Sequence, residues 1–117
     1  QTSGAARLLD PQRIELDAAD NIYVIDAKRL AQFDPFGNYV RDLPLPDGCA
    51  PSNLSIAGDT LVISDATAAM AHLYSTTARQ WIDHLPLEHP AQGVLLRAGL
   101  LIAAHPTACG VYRRAEQ

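Results

Sequence analysis

Three segments of this chain carry the same strand-like motif at a spacing of about 40 residues: NIYVID at Asn21–Asp26, TLVISD at Thr60–Asp65 and LLIAAH at Leu100–His105. A repeat of this length without helix signals constrains the fold more than any other feature, because each unit has to bury its apolar face against the next. The register holds residue by residue. Ile14 and Leu16 are answered by Leu54 and Ile56 and again by Val94 and Leu96, each pair alternating with other residues as one face of a strand does. A proline precedes each opening strand, at Pro11, Pro51 and Pro90, where its missing N–H costs no ladder hydrogen bond. Asp26 recurs as Asp65, and His105 takes that place in the third copy. Phe33, Tyr74 and Tyr112 close a short third strand, while Tyr39, Val40 and Leu43 of a fourth are matched by Trp81, Ile82 and Leu85.

Turn-rich connections at Asp17–Asn21, Asp34–Asn38, Pro46–Pro51, Ala57–Asp59 and Ser75–Ala78 separate these strands. The stretches Ala66–Met70 and Thr77–Gln80 are too short to hold a helix alone. Four short antiparallel strands in a meander make one β-propeller blade, so the expected fold class is all-β, with about three blades in a single unit over residues 1–117. Blade 1 is expected over residues 11–45, blade 2 over 51–87 and blade 3 over 90–117, the last lacking its fourth strand. Ala5–Leu9 is the segment available to supply a ring-closing strand.

The formal net charge of −4, with basic residues scattered and adjacent only at Lys28-Arg29 and Arg113-Arg114, argues against nucleic acid as a partner. No apolar run approaches the roughly 20 residues of a membrane-spanning helix. The most apolar stretch, Gly93–Ala104, is interrupted at Arg97 to Gly99 as a turn would interrupt it, which reads as two buried strands. The chain opens Gln-Thr-Ser-Gly without an initiator Met. That start fits removal of a signal peptide, hence a periplasmic or extracellular location, or a piece of a longer chain; the cytoplasm stays open as an alternative.

Catalytic constellations are not visible. No histidine lies in an HExxH or HxH arrangement, no G-x-S-x-G surrounds a serine, and the seven glycines are spread singly, without a phosphate-binding loop. His84 and His89 flank an LPLE segment, and His72, just ahead of Leu73-Tyr74, reads as exposed or as a turn cap. Asp26 and Asp65 end the second strand of their copies, where a carboxylate accepts N–H groups from the following turn. The alternative is that Asp26, Asp65 and His105 face one mouth of a central channel and hold a divalent cation. No other cofactor is expected. Cys49, between blades, and Cys109, in a turn between second and third strands, fall on the same face; a disulfide is topologically allowed, with two free thiols as the default.

The stretch RIELDAADNIYVIDAKRLAQFDPFGNYVRDL, Arg13–Leu43, resembles an NHL repeat. Asp17, Asn21, Tyr23, Val24, Asp26, Phe33, Asp34 and Gly37 sit where that pattern places them. The second copy keeps Leu61, Val62, Asp65 and Tyr74, and the third keeps the apolar skeleton. The resemblance implies a six-bladed propeller, of which this chain supplies about half. Three blades cannot close a ring, so a protein partner, a longer precursor or a second copy is expected to complete it. The functional expectation is a non-catalytic interaction or scaffold module, with contact residues Pro46, Asp47, Pro51, Glu88, His89 and Gln92 in the blade-connecting loops. The alternatives are a lactonase- or lyase-type propeller enzyme with a metal on the channel axis, and a structural subunit of a large complex.

Overall fold

Polar turn residues divide the chain into short strands. In a computed structural model, which describes residues 8–97, 100–105 and 108–113, the strands are β1 (Pro11–Leu16), β2 (Ile22–Asp26), β3 (Arg29–Phe33), β4 (Tyr39–Leu43), β5 (Pro51–Ala57), β6 (Thr60–Asp65), β7 (Met70–Ser75), β8 (Gln80–Pro86), β9 (Gly93–Arg97), β10 (Leu100–Ala104) and β11 (Cys109–Arg113). They form three antiparallel sheets in the orders β1-β2-β3-β4, β5-β6-β7-β8 and β11-β10-β9. Each sheet is a propeller blade, the chain is all-β, and the three blades follow one another along the sequence.

The turns in blade 1 rest on one device used twice. Asp17 Oδ1 accepts the N–H groups of Ala19 and Asn21, both at 2.9 Å, and its Oδ2 accepts the Asn21 amide at 3.1 Å. Asp34 does the same for the N–H groups of Phe36 and Asn38, both at 2.9 Å, and for the Asn38 amide at 3.1 Å. A carboxylate four residues ahead of an asparagine thus fixes the loop through local side-chain hydrogen bonds. Blade 2 lacks these asparagines and turns between β5 and β6 through Gly58, whose φ of 61° is the left-handed region that glycine enters without a Cβ penalty.

The observed register carries the repeat into three dimensions. Ile22 pairs with Phe33, Leu61 with Tyr74 and Leu101 with Tyr112, so the three aromatic residues occupy equivalent places. Blades 1 and 2 share even their irregularity, a register shift after the opening proline, between Pro11 and Arg13 and between Pro51 and Asn53.

Alternation sends each strand's apolar residues to two different blade interfaces. Tyr23, Ile25, Leu30 and Leu43 of blade 1 pack against Leu54, Leu61, Ile63 and Tyr74 of blade 2. On the other face of blade 2, Val62, Ala71 and Leu73 meet Leu96, Leu101 and Ala103 of blade 3. Polar ties cross the same interfaces. Trp81 Nε1 donates to the Pro44 carbonyl at 2.6 Å, Asn53 Nδ2 to the Ala91 carbonyl at 3.3 Å and the Leu96 N–H to Ser55 Oγ at 3.1 Å.

Among the described residues the outer faces of the first and third blades meet no further blade, although Val24, Ala31 and Phe33 on the outer face of blade 1 are buried. The opening-strand positions that are buried as Leu54 (5% exposed) and Leu96 (5%) are Ile14 and Leu16 in blade 1, where they are 64% and 52% exposed. At the opposite end Leu95 and Val111, both paired with Ile102, are also exposed. Of the segment expected to close a ring, Leu8 and Leu9 lie outside any strand, and residues 5–7 are outside the described residues. Blade 3 has three strands among the described residues.

Candidate functional site

The loops joining blades and the β2–β3, β6–β7 and β10–β11 turns lie at one end of the blades, and most of the chemistry-bearing side chains gather there. Asp26 is fully buried at the end of β2. Its carboxylate accepts the N–H of Leu9 (2.9 and 3.0 Å) and of Asp10, and Arg29 Nη2 closes on it at 2.9 Å. Burial would raise its pKa, but the Asp10 and Leu9 N–H groups and the Arg29 guanidinium outweigh that effect and hold it below the ordinary carboxylate value.

Asp65 occupies the same place in blade 2 with different partners. Its Oδ1 accepts the Ala50 N–H at 3.2 Å, the Thr67 N–H at 2.9 Å and the Thr67 hydroxyl at 2.8 Å. Both carboxylates therefore anchor the segment entering their blade's first strand. The expected bond to the following turn is present for Asp65, through Thr67. The backbone N–H partners of Asp26 come instead from 16 and 17 residues upstream, where the chain enters the blade.

His105, third in this series, is buried in blade 3. Its Nδ1 lies 3.5 Å from the Pro90 carbonyl and its ring 5.3 Å from that of His89, while its Nε2 is buried with no hydrogen-bond partner among the described residues. Of Asp26, Asp65 and His105, Asp65 alone belongs to a group of three potential metal ligands among the described residues. That group is Cys49, Asp65 and His72, with ligand atoms within 4.8 Å of one another.

His72 corrects one sequence expectation. It is 7% exposed in the middle of β7, paired with Ile63, and not an exposed residue or a turn cap. Its Nδ1 sits 2.8 Å from Nδ1 of His84 on the neighbouring strand β8. Burial and the neighbouring His84 push the His72 pKa down, against a smaller upward pull from Asp65. The signal was in the sequence: His72 precedes Tyr74 by two residues, and strand alternation puts both on the face that packs toward blade 1. Cys49 and Cys109 are both free thiols. Burial, then the nearby Asp65 charge, pushes the Cys49 thiol pKa up to about 11.

The loop residues expected to make contacts divide by exposure. Pro46 is half-buried, Asp47 exposed, and Pro51, as the first residue of β5, buried, so Pro51 positions the loop and presents no surface. Glu88, His89 and Gln92 are exposed and line a cleft of about 580 Å³ whose other wall includes His105 and Cys109. This cleft joins two sets of residues that the sequence placed separately, the blade-connecting loop and the third member of the Asp/Asp/His series.

Comparison with protein-family models and with curated proteins returned no match. Solved structures do resemble the chain. The WD40 repeats of RRP9 superpose with a TM-score of 0.77 at 12% identity, covering 92% of this chain and 36% of that one. Hydrazine synthase of Kuenenia stuttgartiensis gives a TM-score of 0.75 at 12% identity, covering 97% and 36%. The Myceliophteria thermophila Cps50 (Swd1) β-propeller domain gives 0.66 at 12% identity, covering 92% and 39%. The chain spans little more than a third of each of these propellers. At such identities the likeness establishes the fold: these blades are a partial β-propeller.

Proposed function

We propose that the chain is a non-catalytic interaction or scaffold segment of an NHL-like propeller, whose ring is completed by blades carried on a longer chain or on a partner protein. The observation that carries this reading is the contrast between Ile14 and its repeat equivalents. The same position is buried as Leu54 against blade 1 but 64% exposed as Ile14, against which no blade packs among the described residues. A blade-shaped apolar face calls for another blade. The NHL-like assignment is supported by the Asp17–Asn21 and Asp34–Asn38 turn pairs, which give the resembling residues a definite structural job.

Within this reading the contact surface is the end of the blades bearing the inter-blade loops. Asp47, Glu88, His89 and Gln92 are exposed there, and the last three border the cleft beside blade 3. Loops held by a rigid scaffold are where such folds place recognition.

The reading is tested by placing charge on the uncovered face. Substituting Ile14→Lys together with Leu16→Lys is expected to suppress self-association of the isolated chain, whereas Glu88→Lys leaves that association unchanged. Association of the double variant at the wild-type level would overturn the assignment of this face as a blade-docking surface.

A further inference from the structure

Blade 2 gathers metal-binding side chains where blade 1 has a salt bridge. In blade 1 the buried Asp26 carboxylate is neutralised by Arg29, which opens β3, at 2.9 Å. In blade 2 the corresponding strand β7 opens with Met70, and among the described residues no cationic side chain pairs with Asp65, although it is only 6% exposed. Three hydrogen bonds from Ala50 and Thr67 offset the cost of burying the Asp65 charge, and a cation beside it would stabilise the carboxylate further.

The residues around Asp65 supply donors for one. The blade-entry segment that places Leu9 and Asp10 over Asp26 places Cys49 and Ala50 over Asp65, because the Ala27 N–H reaches the Asp10 carbonyl just as the Ala66 N–H reaches the Ala50 carbonyl. Across the sheet, Val24 pairs with Ala31, whereas its equivalent Ile63 pairs with His72. Two inert positions, Leu9 and Ala31, have thus become a thiol and an imidazole around an aspartate, with ligand atoms within 4.8 Å of one another. A tetrahedral zinc site holds its ligand atoms about 3.5 Å apart, as follows from metal–ligand bonds of about 2.0–2.3 Å, so these atoms, now within 4.8 Å of one another, would draw together on binding.

We propose that Cys49, Asp65 and His72 bind a divalent transition-metal ion of zinc type, which occupies in blade 2 the role that the Arg29 guanidinium plays in blade 1.

The donor set selects this class of ion. One sulfur, one nitrogen and one oxygen suit zinc and its neighbours, whereas calcium and magnesium demand an all-oxygen shell. The surrounding bonds orient the ligands as metal sites require. The Ala50 and Thr67 groups hold Asp65 through Oδ1. His84 Nδ1 faces His72 Nδ1 at 2.8 Å, and the His72 tautomer that donates this hydrogen bond leaves Nε2 as the ligand. Three protein ligands leave a fourth position for water or for a side chain of the completing partner.

Titration of the chain with Co²⁺, followed by optical absorption, tests the site directly. The expected result is uptake of one equivalent with a thiolate-to-cobalt charge-transfer band in the near ultraviolet and visible bands of tetrahedral cobalt, all lost on adding Zn²⁺. Cys49→Ser is expected to remove the charge-transfer band, Cys109→Ser to leave it intact, and His84→Ala to weaken binding about 10–100-fold through loss of ligand orientation. Absence of a charge-transfer band in the wild-type chain overturns the proposal without recourse to any variant. So does a band that survives Cys49→Ser or disappears in Cys109→Ser.

Discussion

The guanidinium of Arg29 closes on the buried carboxylate of Asp26 at 2.9 Å, across the two-residue turn that joins β2 to β3. The pair ties the second strand of blade 1 to its third, and the same carboxylate holds the chain that enters the blade. One short turn therefore secures three segments.

Removing the cation should be expensive. Arg29→Met, which makes this turn resemble that of blade 2, leaves Asp26 buried and charged with only N–H donors. A loss of about 3 kcal/mol is expected, at the low end of what breaking a buried pair costs because those donors remain. Urea denaturation of the variant against wild type measures it.

The same carboxylate sets an acid limit. Its folded-state pKa lies below the ordinary value of 3.8, so the unfolded chain takes up the proton first as pH falls. The stabilisation is complete above that ordinary value and is lost as pH drops through the lower folded-state pKa. Asp26→Asn should flatten this part of the stability–pH curve, measured by thermal unfolding across the acid range. An unchanged acid slope would contradict the role given to Asp26.

Equivalent positions should respond unequally to truncation. Leu54→Ala empties a place in the interface between blades 1 and 2 and is expected to cost about 2–5 kcal/mol. Ile14→Ala, at the same repeat position but 64% exposed, should change stability by no more than about 0.5 kcal/mol. Chemical denaturation of the two variants side by side reads the difference, and equal losses would mean that Ile14 is covered in solution.

Ala27 opens the β2–β3 turn at a φ of 57°, close to the 61° that Gly58 adopts in the corresponding place of the β5–β6 hairpin. Ala27→Gly relieves the left-handed penalty and in part returns the gain as unfolded-state entropy. A net stabilisation of about 0.5 kcal/mol is expected from thermal or denaturant unfolding.

The repeat was legible because its signals are local or periodic. Alternation exposed Leu54 and Ile56 as one face, and the spacing of Phe33, Tyr74 and Tyr112 anticipated pairs that the sheets display. The Asp17–Asn21 and Asp34–Asn38 turns were visible for the same reason, since each closes within four residues. The metal-ligand group was not. Cys49, Asp65 and His72 meet only after a blade-entry loop folds over the end of β6 and the β6–β7 register is set, and no short motif encodes either event. In sequence Arg29 is one half of a basic pair with Lys28, because its partner Asp26 is defined by a hairpin turn and not by composition. The burial of His72 is legible, since alternation puts it on the same face as Tyr74.

The ring to which these blades are proposed to belong is completed by blades outside residues 1–117. Light scattering on a sizing column, run over a range of concentrations, tests it most directly. The isolated 12.6 kDa chain is expected to associate through its uncovered faces, with an average mass that climbs with concentration and reaches no plateau at a dimer. A constant mass of 12.6 kDa at every concentration would contradict the need for a cover, and a stable plateau at twice that mass would mean that a second copy closes the ring.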